Sequence, residues 1–247
     1  MKQLLERFIM IKRNKVLDKK TSLSTKASIA ILLNYFLGYL IVYPILGMFV
    51  TLGLGNSDLI ISQEVMIGII IFTTITTLLL ALPLFKEEKN IVVEKNIKKI
   101  LITFVLMYVS MLILNPLIAW LTQSSDSQNQ QLIIDSMRQD PLYVILSAVI
   151  MAPIVEEVVF RGVLFRKLRN MNRYVGAIII SSVSFGLMHV LQSILEVNIM
   201  DLPFIIVYIV LGLFFVKIYE ETGKLSNAIL LHFLNNFIGV VAILLTL

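Results

Sequence analysis

Long apolar runs alternate with short charged or polar stretches along the whole chain. A helix that crosses a bilayer needs about 20 apolar residues at 1.5 Å rise each. Seven stretches meet that requirement: 27–52, 65–85, 100–121, 142–161, 174–195, 203–219 and 225–247. One further segment, QQLIIDSMRQD (130–140), is polar with a small apolar patch at Leu132, Ile133, Ile134 and Met137. It reads as a short amphipathic helix on the outer surface. The expected fold is all-α, a polytopic membrane protein of about seven transmembrane helices.

Composition strengthens this picture. The chain has 247 residues, 58% of them hydrophobic, and a mean hydropathy of +0.90. A soluble domain carries about 45–50% apolar residues, so a large soluble core does not account for the excess. The absence of cysteine excludes disulfides, thiolate metal sites and a cysteine nucleophile.

The net charge of +5 does not point to nucleic acid, because of where the bases lie. Residues 1–26 hold eight Lys or Arg, 86–99 hold five, 161–173 hold five, and Lys217 and Lys224 follow. That is 20 of the 21 basic residues. Segments 53–64 and 196–202 hold none, and 122–141 holds only Arg138. This is the positive-inside pattern. It predicts a multi-pass protein of the cell membrane with a cytoplasmic N-terminus and the C-terminus outside. Residues 1–26 read as a basic cytoplasmic arm able to contact anionic lipid, not as a cleavable signal, since no apolar core with a small-residue cleavage site lies within them. Tyr108, Trp120, Tyr143 and Tyr174 are candidate interface anchors. Residues 27–140 hold the N-terminal transmembrane helices and carry no recognisable motif.

The chemistry lies in 141–247. The stretch VEEVVFRG (155–162) places Glu156, Glu157 and Arg161 in an oily segment. An ionised group at the centre of a spanning helix costs about 2.5–3.5 kcal/mol, and such groups mark functional sites. Glu157 and Arg161, four apart, share a face and can pair. Glu156 points about 100° away and has no local partner, which makes it a candidate base. Alternatively the helix ends there and all three charges sit in water. Pro153 frees a backbone carbonyl just upstream. FGLMH (185–189) puts Phe185 and His189 on one face, and LLHFLNN (230–236) does the same for His232 and Asn236, with Asn235 beside them. Each could be a packing or helix-joining residue. Together they are the parts of water-driven hydrolysis: a base, a group that orients water, and donors for an oxyanion.

EEVVFR, FGLMH and HFLNN resemble the three motifs, EExxxR, FxxxH and HxxxN, of the Abi or CPBP family of intramembrane proteases, to which the type II CAAX prenyl endopeptidases belong. The resemblance covers roughly 140–247 and marks 141–247 as an Abi/CPBP-like catalytic core. It implies an intramembrane endopeptidase acting on a peptide or protein, with or without a lipid attached. It implies Glu156 as general base, His189 as a second holder of the water, His232 and Asn236 as oxyanion donors, and Glu157 and Arg161 as residues that shape the site. Asn235 competes with Asn236 for its role; the i+4 spacing favours Asn236. Two histidines and a carboxylate could bind zinc, but without an HExxH helix the expectation is glutamate-activated water and no cofactor. Bacteriocin self-immunity or peptide processing within the same family is an alternative, as is a non-enzymatic scaffold or transporter.

Depth constrains the fourth helix. If it ended at Phe160, Glu156 would lie about one turn from the cytoplasmic surface. His189, fifteen residues past Tyr174, would be over about 20 Å deep. The two could not share a water. The fourth helix is therefore predicted to continue through GVLFRKL to about Leu168, with the site near mid-membrane and water entering from the cytoplasm.

Overall fold

The computed structural model describes residue 11 and residues 15–55, 60–88 and 94–247. Half of the basic arm, 1–26, lies outside the described residues. Among those described there is no strand. Helix α1 spans Thr25–Gly53, α2 Gln63–Glu88 and α3 Glu94–Thr122. Helix α4 is Gln128–Gln139, and α5 runs Pro141–Asn170. Helix α6 is Tyr174–His189, α7 Ile199–Thr222 and α8 Leu225–Thr246. Six of these are long and apolar enough to cross a membrane; α6, with 16 residues, is apolar but shorter.

The fourth spanning helix does continue past Arg161, to Asn170. Arg161 is thus a mid-helix residue and not a loop charge. The fifth span is shorter than expected. At Val190 the backbone leaves helical geometry (φ −108°, ψ 13°), and only a short turn, Leu191–Leu195, follows.

Lipid, not water, covers most of the outer surface. Large apolar side chains such as Leu112, Ile113 and Phe49 are widely exposed, which a soluble protein avoids. Helix α5 is central: 44% of its most apolar window is buried, against 17% for α1 and α3. Helices α6 and α7 pack at close range because small residues line the contact. A Cβ added at Gly212 would come within 3.0 Å of the Ser182 Cα, and one at Gly186 within 2.7 Å of Ile209. Of the four expected interface aromatics, Trp120 is 70% exposed and fits that role. Tyr174 is buried, Tyr143 is packed against the core, and Tyr108 lines an internal cavity.

The two ends of the bundle are built differently. At the basic end, Arg169 makes a buried, two-pronged pair with Glu220, both contacts 2.8 Å, and reaches Asp18 at 3.0 Å. Lys167 donates to the Leu23 carbonyl at 2.9 Å. Glu88 accepts from the Leu225 N–H at the start of α8 at 2.5 Å, a favourable place for an anion. Gly223 ends α7 in the left-handed region (φ 72°), where a residue without Cβ is unstrained.

At the other end, Ser127 caps α4 by accepting from the Gln130 N–H, and Asp140 caps α5 by accepting from Tyr143. Helix α4 forms where the amphipathic pattern placed it. Its apolar face turns onto the bundle: Met137 is buried with Val144, Val149, Val240 and Ile243, while Leu132 stays exposed.

Replacing Gly212 by Val should force α6 and α7 apart. Overpacking of this kind costs about 1–3 kcal/mol, read as a lower melting temperature of the purified protein in detergent. An unchanged melting temperature would show that the two helices are not in this contact.

Candidate active site

Near the middle of α5 the helix places two adjacent carboxylates in different surroundings. Glu157 is fully buried. Its Oε1 accepts from Arg161 Nη1 at 2.9 Å and faces His232 Nδ1 at 3.0 Å. Arg161 also donates to the Gly212 carbonyl at 2.9 Å. Its guanidinium lies 4.6 Å from the Phe185 ring centre and 5.2 Å from that of Phe215, so aromatic faces cover the surface that no acceptor reaches. The sequence supplied the Glu157–Arg161 pair. It did not supply the third partner, His232, which was assigned to the oxyanion alone.

Glu156 has no ion pair of hydrogen-bond length. Its Oε2 is buried and has no hydrogen-bond partner among the described residues, and His189 Nε2 stands 4.0 Å from it. The side chain of Glu156 keeps 14% of its exposure and that of Glu157 keeps none. The expected meeting of Glu156 with His189 is present. Both residues lie roughly 21–22 Å along their helices, from Asn170 and Tyr174 respectively, by the helical rise.

His189 is held on three sides. Its Nδ1 contacts the Phe185 carbonyl at 2.9 Å. A carbonyl only accepts, so Nδ1 carries the hydrogen and Nε2 is the acceptor edge in the neutral ring. Phe185 packs tilted against it at 4.4 Å between ring centres, and Tyr208 stacks on it at 4.4 Å and 26°. Tyr208 was not foreseen; a lone tyrosine in the apolar run FIIVYIV was its only signal. Its hydroxyl bonds Ser127 Oγ at 2.6 Å and takes a hydrogen from Asn129 at 3.3 Å, which ties the start of α4 to the imidazole.

Asn236 is oriented by the backbone of α5. The turns over Ile145–Met151 are wide, with the Ala152 N–H bonding the Ser147 carbonyl five residues back. The next residue, Pro153, has no N–H to offer the Ala148 carbonyl. Asn236 Nδ2 takes it instead, at 2.7 Å. Asn235 Nδ2 donates to Asn236 Oδ1 at 3.1 Å, so Asn235 supports Asn236.

A cavity of about 430 Å³ joins these parts. His189, His232, Asn235 and Asn236 line it, with Phe185, Tyr208 and Phe215. Glu156 is not among its lining residues, contrary to the expectation of one chamber shared by the acid and both imidazoles. The cavity meets the carboxylates through the rings: His189 toward Glu156 and His232 toward Glu157.

The donors do not fit a three-ligand metal set. Glu156 faces one histidine, the other histidine turns Nδ1 to Glu157, and no three His, Asp or Glu among the described residues are grouped to hold an ion.

Residues 138–238 match the family model described as "Type II CAAX prenyl endopeptidase Rce1-like", a span that contains all three motifs. Over 116 residues the chain is 31% identical to the Bacillus subtilis protein named "Putative membrane peptidase YdiL", covering 47% of this chain and 43% of that one. It is 34% identical over 116 residues to the Staphylococcus aureus "Membrane-embedded CAAX protease MroQ", covering 44% of this chain and 42% of the relative. The matches thus span less than half the length of either relative. No solved structure matches the chain. The resemblance read from the motifs is borne out over the segment that carries them.

Removing Arg161 should leave Glu157 as an uncompensated buried charge, a loss of about 3–5 kcal/mol. Arg161→Met is therefore expected to unfold at much lower temperature or denaturant than Glu156→Gln, which breaks no ion pair. Equal losses in the two variants would mean that the Glu157–Arg161 pair does not hold the helices.

Proposed function

We propose that this chain is an intramembrane endopeptidase that hydrolyses a peptide bond with water activated by Glu156 and His189. The observation that carries the reading is the pair itself: an unpartnered buried carboxylate oxygen 4.0 Å from the acceptor nitrogen of a histidine whose other nitrogen is fixed. That separation is too long for a direct hydrogen bond and right for one bridging water. Such a water gives one hydrogen to Glu156 and one to His189 Nε2, which leaves a lone pair for the substrate carbonyl. Glu156 takes the proton as the carbon–oxygen bond forms, and returns it to the leaving amine as the carbon–nitrogen bond breaks.

Asn236 keeps a second N–H beyond the one given to Ala148, so it stands where the oxyanion develops. His232 lines the same cavity. With Nδ1 donating to Glu157, it serves the oxyanion as an imidazolium, whose Nε2 also carries a hydrogen. Glu157 and Arg161 position His232. The cavity walls, with Met111, Phe204, Val207 and Leu211 beside the polar groups, suit apolar side chains of an extended peptide. In this reading the chain works without a metal. The N-terminus is cytoplasmic and the C-terminus outside.

The test is cleavage of quenched fluorogenic peptides, unmodified and prenylated, by protein purified in detergent. The two peptide sets are included because the family description and the Staphylococcus relative's name both refer to CAAX proteins. Glu156→Gln and His189→Ala should each lower kcat about 10²–10⁴-fold, the usual worth of a positioned acid or base. Asn236→Ala should lower it about 10²–10³-fold, the worth of one oxyanion donor. A chelator should leave the rate unchanged. Cleavage that survives Glu156→Gln would end this reading and favour a scaffold, and loss on chelation restored by zinc would overturn its metal-free form.

A further inference from the structure

We infer that the cavity is fed from the face of the membrane opposite the cytoplasm, so that its substrate is a peptide presented outside. The inference rests on the peptidase reading for the word substrate, but the direction of access stands on geometry and charge alone.

The cavity has a floor and a mouth. The floor lies near mid-helix, at Phe215 of α7 and His232 of α8. From there the lining residues run in one direction only. They are Tyr108, Met111 and Asn115 toward the end of α3, Ala148 near the start of α5, and Phe204 to Tyr208 at the start of α7. On α8 they continue from Asn236 through Gly239 to Ile243. The polar rim is the connection between α3 and α4 with the first turn of α4: Ser125, Asp126, Ser127, Asn129 and Gln130. Beyond the floor in the other direction the bundle is filled. Phe160, Phe165, Phe215 and Ile218 are fully buried, and below them lie the Arg169–Glu220 pair and the Lys167 contact to Leu23.

The charge pattern orients that mouth. Among the described residues Arg138 is the only basic one at the mouth end, and it is paired with Asp135 at 3.2 Å. Lys86, Lys98, Lys99, Arg166, Lys167, Arg169, Arg173, Lys217 and Lys224 all fall at or near the closed end. Juxtamembrane Lys and Arg stay on the cytoplasmic side. The mouth therefore opens outside, and the expectation of water entering from the cytoplasm is reversed: the end that expectation chose is the one plugged by buried aromatics and ion pairs. The substrate class follows. It is an exported peptide, or the outward-facing part of a membrane-anchored one.

The absence of cysteine makes a direct test possible. Gly239→Cys puts a thiol in the cavity wall, where an added Cβ meets nothing within 4 Å. Ser125→Cys puts one on the exposed rim, and Arg173→Cys one at the exposed turn of the closed end. Intact cells expressing each full-length variant are treated with a membrane-impermeant maleimide, before and after permeabilisation. Gly239→Cys and Ser125→Cys should label as fully in intact cells as after permeabilisation, and Arg173→Cys only after it. Should Gly239→Cys fail to accumulate, Ser125→Cys carries the same comparison. The opposite pattern would overturn the inference. A second arm adds the fluorogenic peptides to sealed proteoliposomes whose orientation the same labelling has scored. Cleavage confined to vesicles with the mouth outward supports the inference, and cleavage confined to the inverse orientation sinks it. No cleavage in either orientation counts against the peptidase reading, while the labelling still decides the face of access.

Discussion

Glu157 Oε1 holds two hydrogens at once, from Arg161 one turn along α5 and from His232 on α8. In water such an arrangement would be worth little. In the apolar middle of a bundle it decides how the helices sit, because a buried charge left alone is penalised by several kcal/mol. Arg161 must find acceptors. It has Glu157 on its own helix and the Gly212 carbonyl on α7, so α7 has to come close. Gly212 permits that approach, since any side chain there would meet the backbone of α6 at Ser182. One charged cluster thereby fixes α5, α7 and α8 against each other and presses α6 onto α7. The positions of both histidines follow from this packing.

The two neighbouring glutamates show how one helix gives the same side chain opposite tasks. A rotation of about 100° per residue turns Glu157 inward to Arg161 and His232 and turns Glu156 to His189. The first is held through its Oε1 by Arg161 and His232 and cannot leave its place. The second has no ion pair of hydrogen-bond length, and His189 stands 4.0 Å from its Oε2. Chemistry needs a carboxylate that is free to take a proton, and framework needs one that is not. In the proposed reaction the adjacent pair provides both within a single helical turn.

Much of this was legible in the sequence, and the reason is physical. Apolar length reports a spanning helix directly, and the intervals 27–52, 65–85 and 203–219 fall inside α1, α2 and α7. The i,i+4 spacing reports the Glu157–Arg161 contact. The demand that Glu156 and His189 share a depth foretold a helix running past Arg161, and α5 does so. What stayed hidden depends on how helices face one another. Periodicity says which residues share a face but not which neighbour that face meets, so the Glu157–His232 contact and the stacking of Tyr208 on His189 could not be read. The stop at His189 was missed because the apolar run through Val190 and Leu191 continues without interruption. The place of the cavity along the bundle could not be read because hydropathy is blind to empty space: the residues that fill one end and line the other are equally apolar.

Pro153 joins these levels. A proline in a spanning helix is tolerated when another group satisfies the carbonyl it abandons. Here the wide turns before it hand the Ala152 N–H to Ser147, and the orphaned Ala148 carbonyl is met by Asn236 from α8. The defect in one helix is what orients the amide of another. That amide then lines the cavity beside His232, on the same helix that Glu157 anchors one turn earlier. Helix α8 is thus pinned to α5 twice, once by a charge that must be paired and once by a carbonyl that must be capped. Between those pins lies the stretch of cavity wall where, in the proposed reaction, a peptide carbonyl would rest. Rigidity at this spot is what an oxyanion site requires, because its donors must be in place before the charge develops. The residues that provide it are the ones a bilayer interior cannot leave unsatisfied.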